Sequence, residues 1–351
     1  MNEKTWAWPR PPPWSFAAAL AFAMALPATA GEAETPFKLD MPLSCVAGET
    51  CWIVNYVDHD PTDGIRDYAC GTATYNGSGK VRAHKGTDIA IRDLAQMKSG
   101  VPGLAAAAGR VTGVRDGMKD VDFTKTGGPE SVKGRECGNG VMIDHGGDWR
   151  TQYCHMRQGS IAVGKGDRVA AGQTIGMVGL SGLSEFTHLH FQVLEGKAFV
   201  DPFTGPGKYR SCGPGPGALW KKSVLARLPY RPTALYNAGF ATGKPRVEMA
   251  RAGLYRTKTL SRMAPALVLW ADMFHVRKGD EMTITITGPG GERVHQRRFT
   301  FGKRLARAWR FSGVKRKTAA WPEGRYRGEI RLRRPGPEAR EHFISREVVL
   351  R

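Results

Sequence analysis

Two short segments, far apart along the chain, constrain its fold more than anything else in it: His84-Lys85-Gly86-Thr87-Asp88, and His188-Leu189-His190 running into Phe191-Gln192-Val193. Between them they hold three imidazoles and one carboxylate, donor types that suit a borderline-soft divalent ion such as Zn²⁺. Leu189, Phe191 and Val193 alternate with polar residues, which predicts a strand carrying His188 and His190 on one face. Two imidazoles buried on one face are costly without partners. The spacing of His84 and Asp88 would fit a helix face, but Gly86 favours a bend after a strand end, which brings both residues to one point.

A third segment, Gly138-Asn139-Gly140-Val141-Met142-Ile143-Asp144-His145-Gly146-Gly147, is followed by Tyr153-Cys154-His155-Met156. It predicts a β-hairpin turning at Gly146-Gly147, with His155 on the return strand. At the N-terminus, Lys4 and Arg10 precede an apolar run from Trp14 to Leu26, and Ala28-Thr29-Ala30 offers a small-residue cleavage pattern, so residues 1–30 read as a secretory signal peptide. The run is short for a bilayer span, and with the first cysteine at 45 no lipidation site follows the cleavage point. No transmembrane segment is expected after signal removal. The cysteines, at 45, 51, 70, 137, 154 and 212, are even in number, which in an exported chain predicts disulfides and no free thiol. The favoured pairing joins Cys45 to Cys51 and Cys137 to Cys154 across the hairpin, leaving Cys70 for Cys212. No C-x-x-C pair exists to support a second zinc site. The acidic stretch from Asp58 to Gly64 matches a calcium loop poorly and reads as a turn.

Taken together these pieces resemble the M23, or lysostaphin-type (LytM-type), zinc endopeptidases that cut peptide bonds in peptidoglycan. The series is H-x-G-x-D at 84–88, G-N-x-V-x-I-x-H-G at 138–146, Y-x-H-M at 153–156, Gly164-Lys165-Gly166-Asp167, Ala171-Gly172-Gln173, Ile175-Gly176, Gly179-Leu180-Ser181-Gly182 and His188-Leu189-His190-Phe191. It covers about residues 64 to 205. The resemblance implies that His84, Asp88 and His190 bind zinc, while His155 and His188 flank the open coordination position as acid/base or oxyanion groups. Which of the two is the general base stays open. Every one of the five positions is filled, as in a working enzyme. Where the family often has Gly-Pro before H-L-H, this chain has Phe186-Thr187, so the loop at 184–187 is bulkier. Ser181-Gly182 lacks the G-x-S-x-G frame of a serine nucleophile.

After the signal peptide the expected organisation is a leader segment at 31–63, an M23-like zinc peptidase domain at 64–213, a Gly/Pro linker at 214–222 and a basic domain at 223–351. Composition supports a boundary there. From residue 217 onward Lys and Arg number 30 against 10 Asp and Glu, a net +20 that equals the charge of the whole chain. The basic part has strand signals at 267–270, 282–287, 298–301, 326–332 and 343–350 with Gly/Pro turns between them, and a helical segment near 247–252. The fold class expected is mostly β: an antiparallel catalytic sheet plus a C-terminal, immunoglobulin-like β-sandwich.

Such charge predicts an anionic envelope polymer as a partner of the basic domain. The cluster Lys303 to Arg310 mixes arginine with Trp309, but export argues against nucleic acid. If the basic domain only targets the enzyme, residues 218–351 are removable without abolishing hydrolysis. The function expected is a periplasmic or secreted zinc endopeptidase acting on peptidoglycan stem peptides or cross-links. The alternative is a non-catalytic wall-binding protein, or an activator of another hydrolase, on the same domain.

Overall fold

Leu189, Phe191 and Val193 are fully buried on one face of strand His188–Glu195, as the alternation predicts, and His188, His190 and Gln192 take the other. The computed structural model describes residues 37–76, 83–207, 211–336 and 340–351; the expected signal peptide lies outside them. The strand sits inside an eight-stranded antiparallel sheet, flanked by Thr87–Ile91 on one side and Trp149–Met156 on the other. Register places Asp88 opposite His190, Ala90 opposite His188, and Cys154 opposite His190. Asn139–Gly146 and Trp149–Met156 form the expected hairpin. Cys51–Asn55 closes the near edge of this sheet, so the sheet begins ahead of residue 64.

The face away from the histidines packs Ile89, Ile143, Tyr153 and Phe191 against Phe203, Leu219, Trp220, Val224 and Leu228. Each fully buried side chain of this size contributes about 1.5–3 kcal/mol. Disulfides join Cys45 to Cys51, Cys70 to Cys212 and Cys137 to Cys154, and no cysteine is free. Between Asp88 and the hairpin the chain makes two excursions, near 94–102 and 116–135; the first contains helix Leu94–Ser99, whose N-terminus is capped by the Asp93 carboxylate accepting from the Gln96 N–H. The second holds two short 3₁₀ turns, Phe123–Lys125 and Pro129–Val132.

Beyond residue 233 a three-stranded sheet, Ala234–Ala241, Ala266–Val276 and Leu305–Lys315, faces a five-stranded one built on Glu281–Thr287, Gly324–Arg334 and Arg340–Leu350. Leu267, Leu269, Met273, Ile284, Ile286, Ile330 and Leu332 fill the core between them. Helix Val247–Arg251 is where the sequence places it. Strand Ala234–Ala241 gave no alternating signal because it is buried on both faces.

These sheets do not stand apart from the first one. Phe37–Arg351 is one compact unit. Ala234, Tyr236 and Phe274 pack on Trp52, Val54 and Ala90 in a separate apolar cluster, and Phe186 leans on it. The His275 ring is buried at this seam, where burial and then the positive charges of Arg304, Arg277 and Arg334 push its pKa down from 6.5 to about 4, against a smaller upward pull from its bond to Val54 O.

That shift has a defined sign. The unfolded chain binds a proton at His275 near pH 6.5 and the folded chain near pH 4, so stability from this residue is complete above 6.5 and is lost as the pH falls toward 4. The loss is roughly 3 kcal/mol from the linkage of about 1.36 kcal/mol per pKa unit. His342, also pushed to about 4 by burial and by Arg334, Arg231 and Arg340, adds in the same direction. Denaturant unfolding of metal-free protein between pH 4 and 7 is expected to show a shallower pH slope for His275→Gln than for wild type. Equal slopes would remove His275 as the source.

Candidate active site and metal centre

Three imidazoles meet the Asp88 carboxylate, and a fourth, His155, stands beside them. His190 Nδ1 lies 2.8 Å and His84 Nε2 3.1 Å from Asp88 Oδ1, and the two nitrogens are 3.2 Å apart. The donor atoms of His84, Asp88 and His190 all fall within 4.8 Å of one another, a group of two nitrogens and one oxygen that could hold a metal ion. His188 Nε2 is 3.5 Å from the same oxygen. The His155 ring stands 4.7 Å from that of His188 and 5.9 Å from that of His190, centroid to centroid. The sheet supplies His190 and Asp88 from paired strands, His188 from the same strand, and His155 from the end of Trp149–Met156.

Each ring is oriented by an acceptor on its far side. His84 Nδ1 donates to Tyr56 O at 2.7 Å, His155 Nδ1 to Ser181 O at 2.8 Å, and His188 Nδ1 to Phe186 O at 2.8 Å. His190 Nε2 faces Gln192 Oε1 at 3.3 Å. A carbonyl can only accept, so the nitrogen facing it carries the hydrogen, and in the neutral ring the opposite nitrogen is left bare. Ring orientation of this kind is what metal-ligating histidines require.

Two glycines are explained by close approach. A Cβ at Gly86 would stand 2.6 Å from His190 Nε2, so the strand end carrying His84 passes too near that ring for any larger residue. Gly138 has φ +65, and a Cβ there would meet the Ser181 backbone at 2.5 Å, displacing the carbonyl that holds His155.

Burial pushes the Asp88 pKa upward, but the neighbouring imidazoles of His84, His188 and His190 outweigh it and hold the carboxyl well below the usual range. His155 moves the other way for a cation: burial first, then His188 and His190, hold its pKa well below 6.5. Asp88 is therefore an anion and His155 a neutral ring in the resting site.

The bulky loop read at 184–187 belongs to the site. Phe186 stacks on His188 with ring centroids 4.4 Å apart, and Ser184 Oγ donates to Phe186 O at 2.8 Å. Two further contributors, Tyr75 and Asn55, were not singled out in the sequence, and a third, Ser181, was read only as lacking the frame of a nucleophile. Tyr75 lies against the His84 ring at 4.5 Å, Ser181 supplies the carbonyl for His155, and Asn55 Nδ2 donates to Asp88 Oδ2 at 2.7 Å. Asn55 did leave a signal, since it is the one polar residue in the buried strand Cys51–Asn55 apart from a disulfide cysteine.

Several known proteins share sequence with this chain. An uncharacterized metalloprotease of Haemophilus influenzae is 30% identical over 152 residues, which are 43% of this chain and 26% of that protein. Peptidoglycan DD-endopeptidase ShyB of Vibrio cholerae is 32% identical over 124 residues, 35% of this chain and 23% of its own length. A second Vibrio cholerae protein, peptidoglycan DD-endopeptidase ShyA, is 40% identical over 57 residues, 16% and 13% of the two chains. The chain thus spans 26% or less of the length of these relatives. The family profile described as Peptidase family M23 matches residues 82–202, the segment that contains His84, Asp88, His155, His188 and His190. This chain therefore carries, over residues 82–202, a domain of peptidase family M23.

Proposed function

We propose that the chain is an exported zinc-dependent endopeptidase that hydrolyses peptide bonds in peptidoglycan stem peptides or cross-links. The observation that carries the reading is the cluster of imidazoles at Asp88, two of them grouped with its carboxylate where a metal could be held and two more, His188 and His155, beside that group. Zinc bound by His84, Asp88 and His190 would supply Lewis-acid polarisation of the scissile carbonyl and a water acidified toward a pKa of ~7.

The rest of the chemistry falls to the protein. His188, whose Nδ1 proton is committed to Phe186 O, has only its Nε2 lone pair to offer, so it accepts a proton from the attacking water. His155, once protonated, is made a strong acid by its burial and by the neighbouring imidazoles, which suits it to bind the developing oxyanion or to give a proton to the leaving amine. Phe186 and Tyr75 cover two sides of the ring cluster and limit water there. Three disulfides agree with an oxidising compartment, and among the described residues no helix is long and apolar enough to cross a membrane. The +20 charge beyond residue 217 suits attraction to an anionic envelope polymer, weakened by salt because screening shortens to about 8 Å at physiological ionic strength.

Purified full-length protein is expected to contain one zinc ion and to release new amino groups from purified peptidoglycan. A chelator should stop the release and added zinc restore it. Zinc-loaded protein that binds peptidoglycan yet releases no amino groups would sink the hydrolase reading in favour of a wall-binding protein or an activator of another hydrolase.

A further inference from the structure

We infer that the strand end Phe274-His275, in the C-terminal sheets and outside the family match, positions the zinc site from behind. The inference rests on the proposed zinc peptidase reading and adds to it two residues, Asn55 and His275, that act through Asp88.

A local departure from strand geometry creates the contact. Along Ala266–Val276 the odd-numbered Leu267, Leu269, Ala271 and Met273 face the C-terminal core, as period two requires, but the next core residue is Val276. The alternation breaks at His275, which has φ +52. Phe274 and His275 are therefore both available to the first sheet, where strict alternation would send one of them into the core. A non-glycine residue in this region is strained unless its surroundings over-determine it, and such strain clusters at functional positions.

What His275 does there follows from hydrogen-bond bookkeeping. Its Nε2 lies 2.7 Å from Val54 O and 2.9 Å from Asn55 Oδ1. Val54 O can only accept, so Nε2 carries the hydrogen and the Asn55 atom facing it must be the acceptor oxygen. That fixes the amide. Asn55 must then turn its NH₂ group to Asp88, where Nδ2 donates to Oδ2 at 2.7 Å. With Oδ2 held, Oδ1 is the oxygen left to face His84, His188 and His190. The chain of contacts His275, Asn55, Asp88 is buried throughout.

Phe274 acts on the other half of the site. Its ring meets Phe186 at 5.0 Å, and Phe186 stacks on His188 and accepts from it through its carbonyl. One strand end thereby supports both a ligand and the proton acceptor. Outer-shell partners of a ligand typically set metal affinity by 10–100-fold.

The test measures zinc affinity of the full chain by chelator competition, with kcat and KM on a soluble peptide alongside. Asn55→Ala and His275→Leu are each expected to weaken zinc binding by about 10–100-fold and to lower kcat with KM little changed. His275→Gln, which places an N–H where Nε2 stood, should bind within a few-fold of wild type. The Asn55→Ala/His275→Leu double variant should be no weaker than either single, because the two residues act in series. A purely structural role would instead lower the melting temperature of the metal-free protein and leave zinc affinity alone. If His275→Leu fails to fold, Asn55→Ala and His275→Gln still decide: Asn55→Ala binding zinc as tightly as wild type overturns the inference. Wild-type protein that binds no zinc would overturn the peptidase reading itself, a separate outcome.

Discussion

Alanine at His188 or His155 is expected to leave about one zinc per chain and to lower kcat by about 10²–10⁴-fold, the range for removal of a proton-transfer or charge-stabilising group. Neither ring belongs to the group of donor atoms around Asp88 Oδ1 that could hold the metal. Both are tied instead to main-chain carbonyls, Phe186 O and Ser181 O, and their rings stand beside that group. Alanine at His84, Asp88 or His190 should behave differently, with metal content and activity falling together because a direct ligand is lost. Metal analysis of dialysed protein beside steady-state kinetics separates the two classes. A His188→Ala protein that loses its zinc would exchange the roles of the two histidines in H-L-H, and one with full activity would take His188 out of the mechanism.

Most of that site was legible because its chemistry is local in sequence. His188 and His190 announce themselves by period two, and the buried Leu189, Phe191 and Val193 fix which face they share. The hairpin at Gly146-Gly147 and the three cysteine pairs followed from turn residues and spacing. The acidic stretch is a turn, with Asp58 and Asp60 carboxylates accepting from main-chain N–H groups two residues on. What stayed hidden depends on contacts between segments far apart. Nothing in the sequence around His275 shows that it reaches Asn55, since the link needs a positive φ and the packing of two separate sheets. Strand Leu305–Lys315 was read as a basic cluster because its inward residues include small ones such as Ala308, which carry little hydrophobic signal.

Deleting residues 218–351 is expected to unfold the remaining chain, not merely to release it from the wall. Composition alone suggested a removable targeting part, with a glycine- and proline-rich stretch from 213 to 217 at its border. The core shows why a cut there fails. Leu219, Trp220, Val224 and Leu228 lie beyond it, yet they are buried in the first core, where Trp220 meets Phe191 at 5.6 Å and Phe203 at 5.8 Å. Phe191 is the neighbour of His190, so the tryptophan backs the strand that carries the proposed ligand. Loss of one such aromatic costs about 3–5 kcal/mol, and with three aliphatic anchors lost beside it the total is comparable with the roughly 5–15 kcal/mol by which a domain is stable. A cut after Arg231 spares those four residues but bares Trp52 and Val54 and removes Phe274 and His275. That shorter deletion should fold, with zinc affinity reduced to the level of His275→Leu. Near-UV circular dichroism and hydrolysis of a small soluble peptide distinguish the cases. A chain ending at 217 that folds cooperatively and cleaves the peptide at the wild-type rate would show that the C-terminal sheets serve targeting alone.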